Sequence, residues 1–161
     1  MSPRAAWRLE SLGFKNVYDY AAGKLDWIGA GLPLEARAGG PAFVLDFIHR
    51  DAPTCSLTDH LSDIPRNTNG FSEIVVVNYA NAVLGVVAKD QLPGKTDETA
   101  EHVMNPAPTT FRPTGTIEEA TAFMGRYDLA ELLVTTSEGK LVGLLNRQTA
   151  ERAVHESSLR T

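Results

Sequence analysis

One stretch of this chain is written twice, and a duplicated unit constrains the fold more than any single motif. Glu73–Leu92, read with the preceding Ser72, is SEIVVVNYANAVLGVVAKDQL. Its plan returns 58 positions later as Glu131–Ala150, ELLVTTSEGKLVGLLNRQTA. Glu73 matches Glu131, Val76 matches Val134 and Gly85 matches Gly143. Val75, Val76 and Val77 form a β-branched run that suits a strand. Asn78-Tyr79-Ala80-Asn81 is polar and turn-like. Val83, Leu84, Val86 and Val87 then resume the apolar run around Gly85. Each copy predicts strand, tight turn, strand and the start of a helix.

The rest of the composition sets bounds. A chain of 161 residues suits one compact domain, or one domain with an appendage. Its 43% hydrophobic content is that of a globular protein. The net charge is −5, and the 15 Lys and Arg residues are scattered, which argues against a nucleic-acid partner. The apolar runs fall far short of the ~20 residues that span a bilayer, so no membrane partner is expected. The opening MSPRAAWRLE lacks a signal peptide's apolar core. A lone cysteine, Cys55, forms no internal disulfide, and the expected compartment is the cytoplasm.

Four segments follow along the chain. Residues 1–33 form a separate block. Ser2 is suited to cap a helix, Pro3 to begin it and Gly13 to end it, with Ala5, Ala6, Leu9 and Leu12 along its length. Asn16–Tyr20 reads as a short strand, and Leu25–Ile28 begins another helix. Residues 34–52 are a linker followed by a pre-repeat helix over Ala42–Arg50, with Phe43, Phe47 and Ile48 at helical spacing. The first repeat occupies 53–95. It opens with extended Thr54-Cys55 and continues with a helix over Thr58–Ile64 that Pro65 stops. A turn at Asn67–Gly70 and the hairpin follow, then a helix beginning at Gln91-Leu92 that Pro93-Gly94 cuts short. The second repeat occupies 100–156. It has a short helix at Ala100–Met104 and extended Thr109–Phe111. Its main helix is capped by Thr116, with Glu118 and Glu119 in the first turn, and buries Ile117, Ala120, Phe123 and Met124. The hairpin is next, and a closing helix runs over Arg147–Glu156. Measured from Pro53-Thr54 to Ile74 and from Pro108-Thr109 to Leu132, the first repeat is three residues shorter.

The sequence VMNPAPTTFRPTGTIEEATAFM, with LLVTTSEGKLVGLLNRQTA after it, resembles the two signature stretches of a CBS domain. SEIVVVNYANAVLGVVAKDQL is similar to the second of them. The resemblance covers roughly two-thirds of the chain and implies a tandem CBS pair, or Bateman module. Such a fold is α/β, with two βαββα repeats packed sheet to sheet in pseudo-twofold symmetry. It implies binding rather than catalysis, no required cofactor, and homodimerisation through the repeats. Its effector protein is not indicated. Members of this family often hold adenine nucleotides in the two inter-repeat clefts. The strand after the turn ends there in a Ser or Thr that reaches phosphate, an Asp takes the ribose hydroxyls at the final helix, and adenine lies on apolar residues near the first strand. Transferred by position, the candidate ligand residues are Thr54, Ala88 and Gln91 for one cleft. For the other they are Thr109, Thr110, Leu133, Asn146, Arg147 and Thr149. Ala88 and Asn146 stand at the Ser/Thr position, and Gln91 and Thr149 at the Asp position. Losing the carboxylate removes a diol acceptor whose charged hydrogen bonds contribute about 1.5–3 kcal/mol each, so AMP, ADP or ATP would bind more weakly than in members that keep it. The second cleft, near Asn146 and Thr149, is the better candidate.

Residues 1–33 resemble the C-terminal half of a rhodanese domain through GFKNVYDY, Ala22-Gly23, Trp27 and GLP. The resemblance implies a small αβα appendage. The family's catalytic cysteine loop should precede the first helix, where only Met1 and Ser2 stand. Cys55 has no anion-cradling glycine or arginine beside it. Three functions remain in view: a non-enzymatic ligand-sensing pair, a structural dimerisation module with degenerate clefts, and the remnant of a sulfurtransferase. His49, Asp51, Cys55 and His60 match no zinc spacing and read as surface or helix-end residues. Gly85 and Gly143 read as close-packing positions in a sheet, and Trp7 and Trp27 as packing residues.

Overall fold

The computed structural model describes residues 3–18, 41–65, 67–92 and 98–158. It divides into two compact units, Met1–Glu35 and Ala36–Thr161. In the first, helix α1 spans Pro3–Ser11. It ends as the glycine foretold. Gly13 is left-handed at φ 93°, its amide donates to the Glu10 carbonyl, and the Phe14 amide donates to the Leu9 carbonyl. Val17 and Tyr18 are not in a strand, and the helix expected at Leu25–Ile28 lies outside the described residues. Trp7 is 68% exposed, so the packing role expected of it is not found. Trp27 is outside the described residues.

The second unit contains two sheets. Strands β1 (Thr54–Cys55), β2 (Glu73–Val77), β3 (Val83–Ala88) and β4 (Asn105–Pro106) make one, in that order. Strands β5 (Thr110–Phe111), β6 (Glu131–Thr135) and β7 (Leu141–Asn146) make the other. Each hairpin is antiparallel with the same register: Val76 opposes Gly85, and Val134 opposes Gly143. The turns also correspond. Asn81 at φ 60° and Gly139 at φ 78° take the left-handed position that closes each turn, and the Asn78 and Thr136 amides donate across the neck.

The sheets pack face to face. Val75, Val86, Leu133 and Leu144 meet with Phe71 in one buried cluster drawn from both hairpins. Ile74, Val76 and Val87 point the other way, into a cluster with Cys55, Leu61, Ile64 and Ala100. Both faces of β2 are therefore covered, which is why it reads as a continuous apolar run rather than an alternating one. Behind β6 and β7, Ile117, Ala120 and Met124 of α3 (Ile117–Arg126) are buried, as are Ala150 and Ala153 of α4 (Arg147–Ser158). Thr116 caps α3 as its sequence foretold, and the Glu119 carboxylate accepts from the Thr116 amide in return.

The leading segments are exchanged. The opening segment of the second repeat holds α2 (Ala100–Val103) and β4, and it joins the first sheet: Gly85 pairs with Pro106 and Val86 with Asn105. The segment before the first repeat joins the second sheet through a bridge between His49 and Leu144. These equivalences run at a spacing of 56, not 58. His49 corresponds to Asn105, and Thr54, which pairs with Val75, corresponds to Thr110, which pairs with Leu133. The repeats thus differ by two residues rather than three, and Thr54 is the counterpart of Thr110, not of Thr109.

Three expected helices are corrected, the first two by the same symmetry. The pre-repeat helix over Ala42–Arg50 is only a 3-10 turn at Val44–Asp46. The amides of Val44 and Leu45 donate to the Gly115 and Pro113 carbonyls, and His49 exchanges both backbone bonds with Leu144, so little is left for a helical ladder. Thr58–Ile64 is irregular, with turns on either side of a bridge from His60 to Thr99. Glu101 and Leu61 donate to the Leu57 and Glu98 carbonyls, as their counterparts do around α3, so Leu61 stands where α3 begins. Pro65 follows four residues later, and no α-helix forms between β1 and β2 among the described residues, so the first repeat departs from βαββα there. Gln91-Leu92 ends a 3-10 turn, Lys89–Gln91, instead of opening a helix. Pro93-Gly94 lies outside the described residues.

Candidate functional site

Side chains alternate along a strand, and this places the ends of both hairpins. Val75 and Leu133 belong to the inter-sheet cluster, so Glu73 and Glu131, two positions earlier, lie on the same inner faces. By the same count Ala88 and Asn146 share the inner faces with Val86 and Leu144. Glu73 is the cross-strand partner of Ala88, and Glu131 of Asn146. One end of the inter-sheet space is therefore framed by Glu73, Ala88, Glu131 and Asn146.

The glutamates meet across the two repeats. One Glu131 carboxylate oxygen, Oε1, accepts from the Ser72 amide at 2.7 Å and the Ser72 hydroxyl at 2.9 Å. Its other oxygen, Oε2, is buried and has no hydrogen-bond partner among the described residues. Burial, and then the Glu131 charge, push the Glu73 carboxyl above its ordinary range. At the position equivalent to Ser72 stands Ala130, which has no hydroxyl, so Glu73 has no matching anchor there. Sequence reading used these glutamates only to align the repeats. The signal was present: an acidic residue in register at the start of two otherwise apolar strands.

The expected ligand residues separate on inspection. Asn146 lies at the end of β7, and its side-chain oxygen accepts from the Gln148 amide at 2.9 Å. Thr149 is partly buried in the first turn of α4. Arg147 points elsewhere. Its guanidinium donates to the Met124 carbonyl at 2.9 Å, the Leu129 carbonyl at 2.8 Å and the Asp128 carboxylate at 3.2 Å. These groups close the end of α3, so Arg147 works as a clamp on that helix, where cations suit the dipole. Leu133 is 4% exposed in the inter-sheet core. Thr110 is exposed on β5 beside it, with Thr109 just before, and Thr54 is exposed on β1. In the first repeat Ala88 offers no polar group, and the exposed Gln91 turns its side-chain oxygen back to the Ala88 amide at 3.1 Å. Cys55 is buried on β1, and its thiol is pushed up to about 11, first by burial and then by Asp59, which removes it as a nucleophile near neutral pH. Among the described residues no three His, Cys, Asp or Glu side chains come together as a metal site. His49 instead sets its ring edge-on to Phe71, 5.5 Å between centroids.

Gly85 and Gly143 are packing positions. A Cβ at Gly143 would come within 2.5 Å of the His49 carbonyl oxygen, and one at Gly85 within 2.9 Å of the Asn105 carbonyl oxygen. Each glycine admits the exchanged segment of the other repeat.

Two sheets packed hairpin to hairpin with exchanged leading segments define the class: the fold is that of a CBS domain pair. Residues 100–156 match the family model for the CBS domain. The chain resembles the cytosolic domain of the magnesium channel MgtE solved with ATP, at 19% identity and a TM-score of 0.64, over 70% of this chain and 48% of that one. It resembles CBSX2 solved with AMP, at 18% identity and a TM-score of 0.60, over 71% and 97%. It also resembles a CBS domain pair solved with 5′-methylthioadenosine and S-adenosyl-L-methionine, at 12% identity and a TM-score of 0.61, over 73% and 98%. No curated protein matches the sequence. The family model does not reach residues 1–33, and the rhodanese resemblance finds no support in these comparisons. No described helix is long and apolar enough to cross a membrane.

Proposed function

We propose that this chain is a non-enzymatic regulatory module that senses an adenosine-type ligand in an inter-repeat cleft. It would act as a cytoplasmic homodimer through an effector protein. The observation that carries the reading is the inner-face position of Asn146 at the end of β7, with Thr149 one turn behind it on α4. Structurally similar pairs solved with ATP, AMP and 5′-methylthioadenosine support this choice of ligand. Thr110 on β5, the strand on the other side of β6, and Thr109 just before it complete the candidate set.

A second reading, a structural dimerisation module with degenerate clefts, is favoured by the first repeat. There Ala88 is apolar and Gln91 is turned onto the backbone. Calorimetric titration with AMP, ADP, ATP, NADH and S-adenosylmethionine separates the two. The sensing reading expects heat and a raised melting temperature with at least one of them, both lost on Asn146→Ala with Thr149→Ala. Silence with all five, in a protein that sediments as a stable dimer, supports the structural reading instead.

A further inference from the structure

The carboxylates at the mouth of the inter-sheet space bear on which adenosine derivative would enter. Glu73 and Glu131 lie on the inner faces at the same end as Ala88 and Asn146, and each is the cross-strand neighbour of one of them. A group held against Asn146 is therefore held beside Glu131. That carboxylate is fixed through Oε1 by both Ser72 donors, while Oε2 is buried with no donor to meet it among the described residues. The cation beside Asn146 in sequence, Arg147, is committed to the end of α3 and does not offset this charge. A phosphate here would face a carboxylate in a partly desolvated space, where like charges repel more strongly than in water. Oε2 is itself buried, so the carboxylate acts on a neighbouring group through its charge, and a neutral or positive centre avoids that repulsion.

We propose that this cleft selects by charge, taking adenosine derivatives whose 5′ substituent is uncharged or cationic, such as a thioether or sulfonium, over phosphorylated ones. The proposal rests on the sensing function argued above and deepens it. It also assigns a specificity role to Glu131, with Glu73 reinforcing it from the other repeat.

The test is calorimetric titration of the full chain with S-adenosylmethionine, 5′-methylthioadenosine, adenosine, AMP and ATP at constant ionic strength. S-adenosylmethionine or 5′-methylthioadenosine should bind at least about tenfold more tightly than AMP. In Glu131→Gln the ratio should fall to within about threefold, mostly by a gain in AMP affinity. Glu73→Gln, which removes no Ser72 contact, should move the ratio the same way and serves if the first variant does not fold. Equal or tighter binding of AMP or ATP by the wild type overturns the charge selection and leaves the sensing function standing. A ratio unchanged in both variants overturns the role of the glutamates. No binding of any of the five probes overturns the selection and the sensing function together.

Discussion

At the scale of single residues, Gly143 shows how a missing side chain fixes a tertiary contact. Both repeat glycines sit opposite the middle of a central strand, Val76 for Gly85 and Val134 for Gly143. The nearest neighbour of a Cβ at Gly143 would be backbone, the His49 carbonyl at 2.5 Å, which cannot swing aside. At Gly85 the nearest atom is Met104 Sδ at 2.7 Å, the end of a flexible chain, with the Asn105 carbonyl a little farther at 2.9 Å. Gly143→Ala should therefore cost about 1–3 kcal/mol, and Gly85→Ala less. Urea denaturation of the two variants checks the order, and equal costs would refute it. The glycine pair was legible as close packing from the 58-residue match alone. The atoms being packed against were not, because Asn105 comes from the opposite repeat and His49 from the segment that precedes the first repeat.

At the scale of elements, the two repeats share a pattern but only one realises its helices. The apolar spacing of Leu57, Leu61 and Ile64 suggests a helix, and Leu61 and Ile64 are indeed buried. Pro65 arrives before a ladder of any length can form, and helices this short are marginal even with good formers. In the second repeat Ile117 starts the equivalent segment without interruption, and α3 runs ten residues. Its far end depends on Arg147, whose planar group meets two carbonyls and a carboxylate at once. Arg147→Lys cannot reproduce that fork. Both Arg147→Lys and Arg147→Ala should lower stability by about 1–2 kcal/mol, since the side chain is partly exposed and its bonds are discounted for solvent. Thermal unfolding measures this, and full rescue by lysine would exclude the fork. Sequence resemblance assigned this arginine to a ligand because motif position says where a side chain starts, not where its end goes.

At the scale of the whole molecule, the exchange of leading segments ties the repeats together. Residues 42–49 complete the second sheet, and residues 98–106 complete the first. A fragment of residues 98–161 would lose the His49 pairing and open the edge of β7 beside Gly143. It should lack cooperative unfolding by circular dichroism, whereas residues 36–161 should retain it. A cooperatively folded short fragment would show that the exchange is dispensable. The glutamates give a second prediction at this scale. The native state raises Glu73 above its ordinary 4.5, so it binds that proton more tightly than the unfolded chain does. This contribution to stability is complete below the ordinary value and is lost as pH rises through the raised one. Glu73→Gln removes the charge, so its melting temperature relative to wild type should rise as pH is raised from the ordinary carboxylate value upward. A constant difference would mean that Glu73 titrates as it does in the unfolded chain.

The sequence by itself determined the duplicated hairpins, their turns, the glycines at their centres and the capped helix α3. All of these rest on contacts within a few residues or on a repeat visible in one dimension. Only the tertiary structure decided which apolar segments become helices and which hand their backbone to the other repeat. The residues 42–50 have helical spacing, yet their donors and acceptors find partners near Gly115 and Leu144. The structure also decided that Arg147 is a clamp, and that two glutamates in register on separate strands face the same space. The exchange and the glutamates depend on which groups meet across the pseudo-twofold axis, and the clamp on how α4 starts against the end of α3 within one repeat; a periodicity along the chain carries no information about either.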